Sequence, residues 1–181
     1  MKFRFDPDLE FQNQAIDAAV RLFEGAPRQE TGFALVSENG VVGNRLALSD
    51  DGLLANLQQV QTDPGLHNGT PIPVSPELGS RDFSVEMETG TGKTYVYLRT
   101  ALELYERYGF RKFIVVVPSV AIREGVLKTL RITRDHFAQL YDNVPYRFYE
   151  YDSGNLARVR QFAASNDVEI MVMTLDSFNK D

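Results

Sequence analysis

The run Met87-Glu88-Thr89-Gly90-Thr91-Gly92-Lys93-Thr94 has the residue types and spacing needed to grip a phosphate chain. Two glycines let the backbone curl so that successive amides converge on anionic oxygens, with Thr89, Gly90, Thr91 and Gly92 forming the cradle. Lys93 supplies a point charge for the β- and γ-phosphates, and the Thr94 hydroxyl is placed to ligate Mg²⁺ alongside the nucleotide. The general pattern opens with glycine five residues before Gly92, and Met87 stands there instead. A turn without a ligand has the same composition, but this one joins an apolar run, Phe83 to Met87, to an amphipathic stretch, which is the context a phosphate loop needs. Kinases, GTPases, transporter ATPases and nucleic-acid motors all use such loops, so the loop alone names no function.

A second candidate lies upstream. Phe11-Gln12-Asn13-Gln14-Ala15-Ile16 resembles the aromatic-Gln-x-x-Ala-Ile start of superfamily 2 helicases. In that family the glutamine amide reads the adenine edge and the aromatic ring flanks the base. An amide suits adenine because it offers a donor and an acceptor side by side.

The elements that must hold these residues follow from periodicity. Asp6-Pro7-Asp8 provides a capping carboxylate and an early proline, and Ile16, Ala19, Val20 and Phe23 follow at helical spacing, so residues 1–24 are expected to be a leader ending in a helix. Residues 25–80 give weaker signals: an apolar piece from Phe33 to Val36, turn residues Glu38-Asn39-Gly40, and Ser49 capping a short helix with Leu53, Leu54, Leu57 and Val60. Asp63 to Pro73 cannot be regular. This stretch is read as an insertion decorating the domain.

From Asp82 the pattern alternates short apolar runs with longer amphipathic ones. Strands are expected at 83–87, 112–117, 146–151 and 168–173. A helix should follow the phosphate loop, with Tyr95, Leu98, Leu102 and Tyr105 on one face. Another should carry Ile122, Val126, Leu130, Phe137 and Leu140, and a third should lie near 155–164. Four strand–helix units in succession imply an α/β fold, a parallel sheet with helices on both faces.

Composition narrows the class. The 181 residues include no cysteine, 43% are hydrophobic, 24% are charged, and the net charge is −6. A domain of this length can bury roughly 70% of its unfolded surface without metals or staples. Disulfide frameworks, thiolate zinc sites and cysteine nucleophiles are excluded. The longest strongly apolar run, Phe113 to Val117, is too short to span a bilayer, and the start lacks a secretory core, so the expected compartment is the cytoplasm. The excess acid lies in residues 1–80, with 5 Lys/Arg against 11 Asp/Glu, whereas residues 81–181 hold 14 of each. Between Arg107 and Arg134 the local net charge is +6, enough to face a polyanion or simply to form a solvated helix face. Aromatic residues Tyr146, Phe148, Tyr149 and Tyr151 read as sheet packing rather than base stacking. His67 and His136 stand alone and receive no chemistry.

Three longer runs sharpen the resemblance. Glu86 to Leu98 is similar to motif I of the restriction (Res) subunit of type III restriction-modification enzymes, including the methionine that breaks the general pattern. Val116-Val117-Pro118-Ser119-Val120-Ala121-Ile122-Arg123-Glu124-Gly125-Val126 resembles its motif Ia, and Met173-Thr174-Leu175-Asp176-Ser177-Phe178 resembles its motif Ib. The resemblance implies a RecA-like ATP-binding lobe over residues 81–181, ATP and Mg²⁺ as cofactors, double-stranded DNA and a methyltransferase (Mod) subunit as partners, and ATP-driven motion or switching on DNA coupled to cleavage. Pro118, Ser119, Arg123 and Thr174 become candidate DNA contacts; Ser119 and Thr174 sit where helix capping and phosphate contact compete for the same groups. The acidic Asp-Glu box, the second lobe and the nuclease domain of that family do not precede Asp181. The sequence is therefore expected to represent an incomplete first motor lobe, inactive by itself. Alternatives are a segment of another superfamily 2 DNA helicase or a nucleotide-binding remnant with no motor role.

Overall fold

The computed structural model describes residues 5–29, 40–66 and 72–177. The apolar piece Phe33 to Val36, His67 and Phe178 lie outside them. The chain divides into two compact units: residues 6–28 with 46–108, and residues 1–5, 29–45 and 109–181.

The first of these units is helical. Helix α1 (Glu10–Arg21) buries Gln12, Ile16 and Val20, a four-residue spacing that puts all three on one face. The expected capping by Asp6 is not what forms. Asp6 Oδ1 instead accepts the Asp8 amide at 2.9 Å, a local turn that uses up the carboxylate, and the helix starts after Leu9 without a side-chain cap. Helix α2 (Asp50–Thr62) begins as read from sequence, with Ser49 Oγ accepting the Gly52 amide and two aspartates in the first turn favoured by the helix dipole. Asn56 anchors it by donating to the carbonyls of Leu22 and Glu24. Helix α3 (Lys93–Tyr108) starts at the phosphate-loop lysine and buries Tyr95, Val96, Leu98, Ala101, Leu102 and Tyr108. α1 packs on both α2 and α3, and the Tyr108 hydroxyl donates to the Val20 carbonyl at 3.2 Å.

The other unit is a parallel three-stranded sheet with helices. Strands β1 (Lys112–Val117), β2 (Tyr146–Glu150) and β3 (Val168–Thr174) lie in the order β1-β3-β2. β3 is buried along its whole length, as a central parallel strand should be. Its register pairs Lys112 with Glu169 and Val117 with Thr174 on one side, and Tyr146 with Val168 on the other. Helix α4 (Val120–Ile132) packs against all three strands and buries Val126, Leu127 and Leu130. The long helix expected to reach Leu140 breaks at the fully buried Thr133, whose hydroxyl bonds back to the Thr129 carbonyl, and α5 (Arg134–Leu140) continues from it.

Helix α6 (Leu156–Ala164) lies on the opposite face to α4. There Phe162 meets Tyr149 edge-on at 6.1 Å and Lys112 Nζ stands 5.5 Å over the Phe162 ring. It covers only part of that face. Ile114 and Val116, which alternate onto the same side as Lys112, are 51% and 43% exposed. The aromatic run is packing, as expected, with Tyr146 and Phe148 stacked at a tilt in β2.

The strand expected over residues 83–87 does not form. Those residues have no regular structure, and Val85 is 48% exposed. An apolar alternating run becomes a strand only when a neighbour takes up its amides and carbonyls, and among the described residues none does. The described sheet therefore has three strands where four were read.

Candidate functional site: the phosphate loop and its glutamine

The loop at residues 87–92 turns sharply into α3. Gly90 and Gly92 have φ of 85° and 84°, the left-handed region that lets successive amides point the same way. Thr91 Oγ1 donates to the Glu88 carbonyl at 2.7 Å and Lys93 Nζ donates to the same oxygen at 2.9 Å, so one carbonyl closes the loop on itself. The first-turn amides of Lys93 and Thr94 have no acceptor within the helix and sit at its positive end. Burial pushes the Tyr97 phenol up, and Thr94 opposes that push.

Gln12 reaches this loop. Its Nε2 donates to the Thr91 carbonyl at 2.8 Å across 79 residues of sequence. The residue is only 7% exposed, whereas the neighbouring Phe11 is 44% exposed. The contact leaves no room at Gly92, where an added Cβ would stand 2.7 Å from Gln12 Nε2; at Gly90 an added Cβ meets nothing within 4 Å. A primary amide has two N–H donors and a carbonyl. One of the donors is spent on Thr91.

Sequence reasoning missed the residue that ties α1 to α3. Arg99 Nη1 donates to the Pro7 carbonyl at 2.7 Å and to Asn13 Oδ1 at 2.8 Å. Periodicity gave no signal for it, because a single arginine on a helix reads as solvated surface.

The remaining candidates belong to the sheet unit. Register places Ser119 and Thr174 just past and at the carboxyl ends of neighbouring strands β1 and β3. Ser119 Oγ accepts the Ile122 amide at 3.4 Å as the cap of α4, and Thr174 Oγ1 lies 3.0 Å from Ser177 Oγ. Pro118 is exposed and Thr174 is buried. Arg123 is held by Glu150 at 2.6 Å and Glu124 at 3.3 Å, and its Nε is buried without a hydrogen-bond partner. The basic stretch does not form one face. Arg111 is buried and donates to the Gly109 carbonyl, Lys112 donates to the Ser165 carbonyl, and Arg107 pairs with Glu103 and Asp17. Lys128, Arg131 and Arg134 are exposed. No helix of the described residues is long and apolar enough to cross a membrane, and among them no three His, Asp or Glu side chains are grouped to hold a metal ion.

A parallel α/β sheet together with a glycine loop opening a helix defines the class, a partial RecA-like α/β protein. Comparison with known proteins gives the family. Residues 9–181 match the family described as "Type III restriction enzyme, res subunit", and the chain belongs to it. It is 30% identical over 142 residues to the type III restriction-modification enzyme EcoPI Res subunit of Escherichia phage P1, covering 77% of this chain and 14% of that protein. The EcoP15I Res subunit of Escherichia coli is 30% identical over 141 residues, again 77% of this chain and 14% of the relative. The StyLTI Res subunit of Salmonella typhimurium is 45% identical over 76 residues, 41% of this chain and 8% of the relative. The chain thus spans about one seventh of the length of the relatives matched over most of it.

Proposed function

We propose that this chain is the ATP-binding, DNA-contacting segment of a Res-subunit motor. Residues 1–24 serve as the base-reading leader, 25–80 as decoration, and 81–181 as part of the ATP-binding lobe. The observation that carries the reading is the 2.8 Å bond from Gln12 to Thr91, which brings an adenine-type reader onto a phosphate-type loop. Phe11, being exposed, can flank the base while the free donor and the acceptor of Gln12 face its edge. The Gly90–Gly92 curl and the start of α3 suit an anion of several oxygens. Lys93 would exchange a neutral acceptor, the Glu88 carbonyl, for phosphate oxygens, and hydrogen bonds between ionised groups are about twice as strong as neutral ones. Thr91 stays on Glu88 and holds the loop closed. Mg²⁺, which offsets phosphate charge, would be held by the Thr94 hydroxyl and phosphate oxygens.

On the sheet unit, Ser119 and Thr174 would receive DNA phosphates at the strand ends, with Pro118 beside them and Arg123 exchanging Glu150 for phosphate. Double-stranded DNA and a Mod methyltransferase subunit are the partners this reading names, in a cytoplasmic enzyme. The test is calorimetry of Mg-ATP binding. Lys93→Ala should lose it, since the cradle then has no fixed positive charge beside the phosphates, and equal binding by parent and variant would remove the phosphate-site assignment.

A further inference from the structure

The adenine-reading role of Gln12 leaves open what fixes its amide in place. α1 has no side-chain cap at Leu9, and Gln12 itself holds the loop through a single bond. An amide discriminates between bases only if its donor and acceptor face a fixed direction, because a glutamine turned over presents them in exchanged order.

Arg99 supplies the fixing. It sits on α3, six residues beyond Lys93 and so nearly two turns along the helix that the phosphate loop opens. Its side chain is 13% exposed. The two acceptors of its Nη1, the Pro7 carbonyl and Asn13 Oδ1, bracket Gln12 in sequence, one before the helix and one in the residue next to Gln12. Glu103 lies 4.0 Å from Nη2, and the Arg99 charge acts on the Tyr95 phenol against the upward push of burial. A guanidinium has a rigid planar fork that can hold several acceptors at once, which a lysine ammonium on a flexible stem does not reproduce.

We infer that Arg99 is a positioning residue for base selection: it docks the leader on the phosphate-loop helix and thereby sets the orientation of the Gln12 amide. The inference rests on Gln12 reading adenine, and the experiment separates the two claims. Calorimetry measures the affinities of Mg-ATP and Mg-GTP for the parent, Gln12→Ala, Arg99→Lys, Asn13→Leu and Asn13→Asp. The parent should prefer ATP by about tenfold, the worth of one well-placed hydrogen bond. Arg99→Lys and Asn13→Leu should cut that preference to about twofold by weakening ATP while GTP binding stays level, and Asn13→Asp, which keeps the acceptor, should retain it. Asn13→Leu leaves the arginine in place and keeps the test decisive if Arg99→Lys folds poorly. Equal weakening of ATP and GTP would reduce Arg99 to a structural prop and overturn the inference. So would preference lost in Gln12→Ala alone. A parent without preference, or one whose preference survives Gln12→Ala, would overturn the Gln12 role and the Arg99 role with it.

Discussion

Replacing Gly92 by alanine tests the loop geometry without any ligand. Two costs combine at this position. The first is the backbone: a φ of 84° puts an L-residue's Cβ against its own carbonyl, worth about 1–2 kcal/mol. The second is the 2.7 Å approach of the new Cβ to Gln12 Nε2. That atom ends a flexible side chain, but one that is buried and hydrogen-bonded, so the cheapest escape is to swing Gln12 away and lose its bond to Thr91, about 1 kcal/mol. Gly92→Ala should therefore cost about 2–3 kcal/mol. Gly90→Ala, with nearly the same φ and nothing within 4 Å, should cost only the backbone part, about 1–2 kcal/mol. Urea unfolding, read from midpoints at constant slope, measures both. A double-mutant cycle isolates the contact: in a Gln12→Ala background the penalty at Gly92 should fall to that at Gly90. Equal penalties in the parent, or a difference that survives removal of Gln12, would show that the glutamine does not occupy the space over the loop.

Two further outcomes follow from the sheet unit. Burial pushes the Tyr146 phenol up to about 12 and moves Tyr149 the same way, with the Glu169 charge adding to the latter. Both phenols are neutral in either state below pH 10; above it the unfolded chain ionises while the folded one holds its protons, so stability should fall by about 1.4 kcal/mol per pH unit per tyrosine until the folded pKa is reached. Lys112, whose pKa is lowered by burial, works in the opposite direction, but only as pH rises towards its ordinary value of 10.5, above which the unfolded chain has lost that proton too. Urea midpoints that hold steady from pH 9 to 12 would contradict the buried phenols. Separately, Glu150→Gln should spare Arg123 the loss of its 2.6 Å partner on binding and so raise duplex affinity, and Arg123→Ala should make the salt dependence shallower by about one phosphate contact. Anisotropy titrations across a salt series decide, and an unchanged slope would remove Arg123 from the DNA contacts.

Local chemistry was legible in the sequence; partnership was not. The Ser49 and Ser119 caps, β1 and the reach of α3 all depend on groups close in sequence, and the structure has them where the residues imply. Phe83 to Met87 carries the same alternation as a true strand, yet a strand is defined by a neighbour's hydrogen bonds, which no local pattern contains. Ile122 fits the apolar stripe of α4 by spacing but is 48% exposed, because it lies in the first turn, ahead of the buried residues Val126, Leu127 and Leu130. At the candidate site, the glycine loop was read from residue type and spacing and Gln12 from a family resemblance, while Arg99 and the carboxylates on Arg123 were missed. Their meaning comes from residues up to 92 positions away, as with Arg99 and Pro7.

The strand order has a consequence for how the sheet can be made. Among the described residues β1 and β2 do not pair with each other; each has β3, the last of the three to be synthesised, as its strand partner. From Val117 to Thr174 is 57 residues and from Glu150 to Thr174 is 24, so at about 5–20 residues per second β1 waits roughly 3–11 s and β2 roughly 1–5 s on the ribosome for the strand that pairs with them. Ile114 and Val116, exposed even in the described three-stranded sheet, are bare throughout that interval. The three described strands are thus joined in one late step, when β3 arrives, and a nascent chain stalled before Val168 holds β1 and β2 without the strand that pairs with both.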